Sequence, residues 1–144
     1  MVWLLRHGEA EEAASDDASR RLTPRGKRQA EAAGAALAAL GIRPDCCLTS
    51  PKVRALETAR VAAAALGCEP EVTVRLAGGD FDLGELVAGR GEALLVGHEP
   101  DLSRAIQLTT GGRVELKKGG LAAIEDAILV TLLKPAQLRL IAAS

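Results

Sequence analysis

The chain has 144 residues, a formal net charge of −1 and 48% hydrophobic residues. This length suits one domain with a single core, so we predict one domain over residues 1–144. Charges interrupt every apolar stretch short of the roughly 20 residues that cross a bilayer. With one Trp, one Phe and no Tyr, few rings are available to stack on bases. Composition therefore excludes a membrane span and disfavours nucleic acid as a partner.

The N-terminus and the cysteines define the expected compartment and chemistry. The apolar run before Arg6 is only the four residues from Val2 to Leu5, which is too short for a secretory signal, so we expect a cytoplasmic protein. The odd number of cysteines and the adjacent pair Cys46 and Cys47 disfavour an intrachain disulfide. No Cys-x-x-Cys spacing occurs, so we predict buried thiols, no metal site and no cofactor.

Apolar runs alternate with helical patterns along the first two thirds of the chain, which predicts strands joined by helical crossovers. Val2 to Leu5 is the first predicted strand, and the polar segment from Glu9 to Arg21 reads as a loop. Thr23-Pro24 and Ser50-Pro51 each give a cap-then-proline start for a helix, ending near Gly41 and Gly67 respectively. Cys46 to Thr49 lies between these helices as a second strand.

The remaining elements complete a three-layer α/β/α sandwich with a mostly parallel mixed central sheet. We predict strands at Glu71–Leu76 and Ala93–Val96, a short helix at Phe81–Val87 and a further helix that ends before Gly111. The C-terminal third reads as three strands that add antiparallel neighbours to the sheet, at Leu121–Ile124, Ile128–Leu133 and Leu138–Ile141.

Three predicted strands end in residues that suit phosphate chemistry. Arg6-His7-Gly8 follows the first strand, Ser50 follows the second, and Gly97-His98 follows the strand from Ala93. Parallel strands would bring these ends to one edge of the sheet, with Arg54 in the first turn of the adjacent helix. Arginine forks and helix N-termini both suit phosphate oxygens. The pattern therefore predicts a cationic pocket for a phosphoryl group.

A histidine in such a pocket can act covalently, because a neutral imidazole nitrogen is a competent nucleophile near pH 7. We predict His7 as the nucleophile, with Arg6, Arg54 and His98 stabilising charge on the transferring group. Gly8 and Ser50 are predicted phosphate-binding residues. The chain lacks a Gly-x-x-x-x-Gly-Lys-Ser/Thr loop, which disfavours a nucleotide triphosphatase.

Four segments resemble the histidine phosphatase superfamily, whose fold is called phosphoglycerate mutase-like. They are Arg6-His7-Gly8, Leu22-Thr23-Pro24-Arg25-Gly26, Ser50-Pro51-Lys52-Val53-Arg54-Ala55-Leu56-Glu57-Thr58-Ala59 and Val96-Gly97-His98-Glu99-Pro100-Asp101-Leu102. The resemblance implies His7 as the phosphorylated residue and Arg6, Arg54 and His98 as its phosphate pocket. The short chain without an inserted cap resembles the small bacterial phosphohistidine phosphatases, and Asp17 and Arg20 match that subgroup's acidic residue and extra arginine.

The residue that donates a proton to the leaving group is not identified by any motif. Larger members of the family use a glutamate between the two histidines, where this chain offers Asp80, Asp82 and Glu85. Asp80 and Glu9 are the candidate donors, whereas Asp17 is expected to hold Arg20. An imidazole leaving group needs less acid assistance than an alkoxide, so the missing motif favours phosphohistidine.

Three functions remain open from the sequence. The leading one is a metal-independent phosphatase that acts on a protein phosphohistidine, such as that of a histidine phosphotransfer domain in a signalling relay, and releases inorganic phosphate. The second is a phosphatase for a small phosphate ester. The third is a module that binds phosphate or phosphoproteins without turnover. We expect an open cleft at the sheet edge for a protein substrate and a deep, closed pocket for a small molecule.

Overall fold

The computed structural model describes residues 1–144 and has one six-stranded sheet in the order β3-β2-β4-β1-β5-β6. Its strands are β1 (Val2–Arg6), β2 (Cys46–Thr49), β3 (Pro70–Val72), β4 (Ala93–Gly97), β5 (Leu121–Glu125) and β6 (Ile128–Leu133). Its helices are α1 (Pro24–Ala39), α2 (Val53–Ala64), α3 (Leu83–Val87), α4 (Asp101–Thr110) and α5 (Pro135–Ala142), with 3-10 turns at Asp17–Ser19 and Val74–Leu76.

The sheet is mixed, as predicted. Strands β1, β2, β3 and β4 are parallel, whereas β5 and β6 are antiparallel to their neighbours. The register pairs Arg6 with Gly97 and Thr49 with Val96. The ends of β1, β2 and β4 therefore lie side by side at one edge of the sheet, which confirms the expected juxtaposition.

Helices cover both faces of the sheet and make the predicted three layers. Trp3 and Leu5 of β1 point to the face covered by α1, α2 and α5, and belong to a core cluster that includes Leu37 and Leu138. Leu4 points to the opposite face, where α3 and α4 contribute residues such as Ile106. Because neighbouring side chains alternate across a strand, one buried apolar run serves both cores.

Two predicted boundaries on the β2 side are wrong. The second long helix begins at Val53, not at Pro51, because the Ser50 hydroxyl bonds the Lys52 N–H and His98 instead of capping the helix. The strand predicted over Glu71–Leu76 stops at Val72. Thr73 then caps the 3-10 turn Val74–Leu76, which buries Leu76 and leaves Val74 exposed.

The predicted strand Leu138–Ile141 is also wrong, since it lies within α5. Pro135 occupies the first helical turn and the Gln137 side chain accepts a hydrogen bond from the Lys134 N–H. Leu138 and Ile141 are three residues apart, which places both on the helix face that packs on the core. The alternation of Leu138 with the exposed Leu140 resembled a strand only in sequence.

Smaller differences concern the segments around residues 9–22 and 81–87. The predicted loop from Glu9 to Arg21 contains the 3-10 turn Asp17–Ser19, and Ala10 pairs with Leu22 across its base. The helix predicted from Phe81 starts at Leu83.

All three cysteines are free, with Cys46 and Cys47 buried and Cys68 partly buried. No helix has the length and apolar character needed to cross a bilayer.

Candidate active site

The ends of β1, β2 and β4 bring His7, Ser50 and His98 together. The two imidazole rings have centroids 5.2 Å apart and are tilted by 56°. Each histidine is only 6% exposed, and Ser50 is fully buried. The His7 N–H donates to the Gly97 carbonyl at 3.1 Å, which continues the β1–β4 ladder into the site.

The imidazole of His7 is fixed in one tautomer by its own turn. Its Nδ1 lies 2.7 Å from the Gly8 carbonyl oxygen, and a carbonyl only accepts, so Nδ1 carries the proton. The pKa of His7 is lowered to about 4, mainly by burial and also by the charges of Arg54, Arg6 and Arg20, while the Gly8 bond opposes the shift. His7 is therefore neutral at pH 7, with its lone pair on Nε2.

His98 faces His7 from the end of β4. Its Nε2 lies 2.8 Å from Ser50 Oγ and accepts the Ser50 hydroxyl in the tautomer that carries its proton on Nδ1. The Ser50 oxygen accepts the Lys52 N–H at 3.1 Å. The Nδ1 of His98 is buried and has no hydrogen-bond partner. The pKa of His98 is lowered to about 3, mainly by burial and next by His7, so both rings are neutral at pH 7.

Two arginines flank the histidines. Arg6, the last residue of β1, donates from Nη1 to the Leu116 carbonyl at 2.8 Å, and burial lowers its pKa. Arg54, in the first turn of α2, donates from Nη1 to the Asp17 carbonyl at 2.9 Å and from Nη2 to its carboxylate at 3.2 Å. In both arginines the Nε is buried without a partner.

Three buried nitrogens at this edge thus lack a hydrogen-bond partner, on Arg6, Arg54 and His98, and they are the only such side-chain atoms in the protein. An unpaired buried donor costs about 1–3 kcal/mol, so each of these groups needs an explanation, and a bound anion would supply partners for all three. The helices α2 and α4 also begin at this edge and direct N–H groups toward it. The arrangement suits a compact tetrahedral anion beside His7 Nε2.

Asp17 and Arg20 lie on the 3-10 turn beside α2. Asp17 bonds Arg20 at 3.2 Å and contacts Lys52 at 3.8 Å in addition to its bonds with Arg54. The hydrogen bond from Arg20 is the main cause that lowers the pKa of Asp17. Asp17 is therefore an anion that orders these cations, in agreement with its expected contact to Arg20.

The two candidate proton donors both have other partners. The Glu9 carboxylate accepts the Thr23 hydroxyl at 2.8 Å, at the start of α1. Asp80 is exposed and pairs with Arg104 at 3.7 Å, beside α4. Neither carboxylate has a hydrogen bond with His7 or His98.

Thr58 is a site residue for which the sequence predicts no role. Its hydroxyl donates to the Arg54 carbonyl at 2.7 Å and accepts the Gly8 N–H at 3.1 Å. It thereby ties the turn after β1 to α2. The spacing of four residues from Arg54 is the sequence signal that places both on one helix face.

Glu99 and Leu116 were also missed. Glu99 accepts the backbone N–H and hydroxyl of Ser103 and, at 3.1 Å, the Leu116 N–H. The Leu116 carbonyl in turn accepts from Arg6. Glu99 therefore orders α4 and the segment that holds Arg6. Nothing in the sequence reveals the contact of residue 116 with residues 6 and 99.

No group of three or more histidine, cysteine, aspartate or glutamate side chains is arranged to hold a metal ion.

The family model of the histidine phosphatase superfamily, branch 1, matches residues 2–107. The chain belongs to this superfamily. An uncharacterized protein of Picosynechococcus sp. is 36% identical over 140 residues, covering 87% of this chain and 84% of that protein.

Two solved structures share the fold. The protein histidine phosphatase SixA complexed with tungstate has a TM-score of 0.83 at 22% identity, over 95% of this chain and 98% of that chain. A putative phosphohistidine phosphatase SixA from Agrobacterium tumefaciens has a TM-score of 0.80 at 25% identity, over 93% and 97% of the two chains. The fold is thus phosphoglycerate mutase-like, as predicted, and the comparisons support phosphatase activity.

Proposed function

We propose that this protein is a metal-independent phosphatase that hydrolyses phosphohistidine on proteins through a covalent intermediate on His7. One observation carries the proposal: three unpartnered buried nitrogens belong to residues at the same sheet edge as His7, whose Nδ1 is bonded to the Gly8 carbonyl. A neutral Nε2 beside unpaired donors is suited to attack a phosphoryl group and to stabilise its oxygens.

In the first step the Nε2 lone pair of His7 attacks phosphorus, and the P–N bond to the substrate imidazole breaks. That imidazole, protonated on its other nitrogen, leaves as a neutral molecule. His7 keeps its Nδ1 proton against Gly8 and becomes a phosphorylated imidazolium. Arg6, Arg54 and His98 donate to the phosphoryl oxygens, with Ser50 holding the His98 ring.

In the second step water attacks the phosphorus and the P–N bond returns its electron pair to Nε2. Phosphate leaves as dihydrogen phosphate, so His7 returns to its neutral form without another proton donor. Neither step requires a carboxylic acid, which agrees with the other partners of Glu9 and Asp80. An alcohol leaving group would need such an acid. Phosphohistidine is therefore favoured over a phosphate monoester.

Open clefts beside Arg6 support a protein substrate. Two open clefts of about 570 and 520 Å³ flank Arg6, one toward α1 and α5 and the other toward α4. A side chain on a protein surface can reach such a site. Neither cleft is lined by His7, Arg54 or His98, so both adjoin the phosphate site at Arg6 alone. The cytoplasmic location and the signalling role remain predictions from the sequence.

A substrate panel tests the proposal. We expect a histidine-phosphorylated phosphotransfer protein to be hydrolysed with a kcat/KM at least about 100-fold above that of glycerol 2-phosphate, since its alkoxide leaving group lacks an acid here. Equal or lower kcat/KM for the phosphoprotein would favour a small ester as substrate. Stoichiometric binding of the phosphoprotein without phosphate release would indicate a binding module.

Arg54 offers a matched pair of variants on one helix. Arg54→Gln removes the buried Nε donor and we expect it to lower kcat/KM by about 100-fold or more, a typical loss for a preorganised donor. Arg60→Gln, on an exposed turn of α2, should leave kcat/KM within twofold. Phosphate release assays on both variants check this, and equal effects would contradict the role of Arg54.

A further inference from the structure

Beside the phosphate site lies a cleft of about 570 Å³ whose walls are strongly cationic. We call it the basic cleft; its cations are Arg6, Arg25, Lys117, Lys118, Lys134 and Arg139. Only two carboxylates, Glu9 and Glu115, line the same space. The protein as a whole is slightly acidic, so this concentration of positive charge is local.

Most of these cations have no carboxylate partner. Lys117 pairs with Glu115 at 3.5 Å, and this is the only ion pair that the lining cations form. The Glu9 carboxylate is bonded to Thr23. Arg25, Lys118, Lys134 and Arg139 are exposed and free to meet negative charge. Like charges in one cleft repel each other, and an acidic ligand would relieve that repulsion.

The basic cleft is fixed directly to the catalytic residues. The Gly119 N–H lies 3.2 Å from the Arg6 carbonyl and 3.0 Å from the His7 carbonyl, and the Arg6 N–H donates to Gly120 at 3.0 Å. The turn that carries Lys117 and Lys118 is therefore joined to the nucleophile through backbone bonds. An added Cβ at Gly119 would lie 2.8 Å from Gln29 Cβ, so the turn packs tightly on α1.

The residues that line the basic cleft are more polar than those of a typical small-molecule site. Such sites are mostly apolar with a few polar groups, whereas one of the eleven residues lining the basic cleft is hydrophobic. Apart from Arg6 of β1, its cations stand on long exposed side chains from α1, from Lys134 and α5, and from the turn after Leu116. This distribution suits an extended acidic segment, because complementary charge across an interface guides docking and selects partners.

We propose that the basic cleft docks an acidic segment of the phosphoprotein substrate, next to the phosphohistidine held at His7. The proposal rests on the proposed function for the identity of that partner. Arg6 belongs to both the cleft and the phosphate site, so the docked segment is contiguous with the phosphorylated residue.

Two matched peptides test the docking. One peptide carries a histidine flanked by four aspartates, and the other carries a histidine flanked by four asparagines. Each peptide is prepared with and without phosphate on its histidine. The cleft variant is Lys118→Gln, Lys134→Gln and Arg139→Gln combined. The control variant combines Arg28→Gln, Arg43→Gln and Arg60→Gln, which removes the same charge from exposed arginines outside the cleft and without ion pairs.

The first measurement is fluorescence anisotropy with the unphosphorylated peptides, which does not depend on turnover. For the native protein and the control variant we expect the aspartate peptide to bind about tenfold more tightly than the asparagine peptide at low salt, since three exposed charge pairs each add a small factor. The difference should disappear at about 0.5 M salt, where screening is strong. In the cleft variant it should disappear at low salt as well.

The second measurement is the ratio of kcat/KM for the two phosphopeptides, expected near ten for the native protein and near one for the cleft variant, on the same charge-pair scale. Equal binding of the two peptides by the native protein would overturn the proposal. So would a loss of preference in the control variant equal to that in the cleft variant. If neither phosphopeptide is hydrolysed, the proposed function fails while the anisotropy result still decides the docking.

The competing occupant of the basic cleft is a small anionic ligand. Comparing turnover of 3-phosphoglycerate, which carries a carboxylate besides its phosphate, with turnover of p-nitrophenyl phosphate, which does not, tests for it. Two results together would assign the cleft to the carboxylate of a small substrate. The cleft variant would lose turnover of 3-phosphoglycerate relative to p-nitrophenyl phosphate, and the native protein would show no preference between the two peptides. Those results would overturn docking of an acidic segment.

Discussion

At the residue scale, the chemistry depends on keeping His7 neutral inside a cationic pocket. Burial and three arginines lower the pKa of His7 to about 4, while a free histidine titrates near 6.5. Between these values the unfolded chain binds a proton that the folded chain does not. Stability must therefore fall as the pH drops from 6.5 toward 4.

His7→Asn tests this linkage, since the asparagine amide can still donate to the Gly8 carbonyl. Because of the shifted pKa of His7, the free energy of unfolding should fall by on the order of 3 kcal/mol between pH 7 and pH 4. Urea unfolding at pH 7, 6, 5 and 4 should show a shallower loss for His7→Asn than for the native protein. Parallel pH profiles would mean that His7 titrates normally in the folded state.

Gly8 is a second residue whose role follows from geometry. A Cβ added at Gly8 would lie 2.5 Å from the Gly26 carbonyl oxygen, which belongs to the backbone of α1. We expect Gly8→Ala to cost about 1–3 kcal/mol of stability, as other overpacked sites do. It should also lower kcat by moving His7. Urea unfolding and phosphate release measure the two effects.

Gly84→Ala provides the comparison for Gly8→Ala. A Cβ at Gly84 in α3 meets only Asp82 at an ordinary 3.5 Å, so this change should be neutral or stabilising. If Gly8→Ala and Gly84→Ala have the same free energy of unfolding, the turn after β1 can accommodate a Cβ at residue 8 and the packing argument is wrong.

At the element scale, α1 links the loop beside the site to the core. The Thr23 hydroxyl accepts the Gly26 N–H at 3.0 Å and donates to the Glu9 carboxylate at 2.8 Å. One side chain therefore caps α1 and anchors the residue that follows the Arg6-His7-Gly8 turn.

Thr23→Ala should cost about 1 kcal/mol, the usual value of a lost N-cap, and Thr23→Ser should recover most of it. Urea unfolding of the three proteins at pH 7 makes the comparison. Equal stability of Thr23→Ala and the native protein would show that the cap contributes nothing measurable.

Elements with an unambiguous local pattern were predictable. Strands β1, β2 and β4 are short, mostly apolar runs bounded by polar turns, and the Thr23-Pro24 start of α1 has the expected cap. Helix α5 was not predictable, because Leu138 and Leu140 alternate as in a strand. Only the packing of Leu138 in the core selects the helix. The start of α2 was missed because Ser50 bonds His98, a contact between residues 48 positions apart.

At the scale of the whole molecule, the sheet topology assembles the site. His7, Ser50, Arg54 and His98 were predictable because parallel strands end at one edge, so residues after those strands must converge. The contact of Arg6 with Leu116 and the bond between Glu99 and Leu116 join segments that no local pattern connects. The basic cleft likewise depends on how the turn near Lys117 packs on α1.

The most direct test of the central claim is the location of the phosphoryl group on the enzyme. The phosphohistidine protein is mixed with the enzyme, quenched rapidly into alkaline denaturant, and the trapped intermediate is examined by phosphorus NMR and peptide mapping. We predict phosphate on Nε2 of His7, because Nδ1 is bonded to the Gly8 carbonyl, and no labelled enzyme with His7→Asn. Phosphate on another residue or on Nδ1, or full turnover by His7→Asn, would contradict the mechanism.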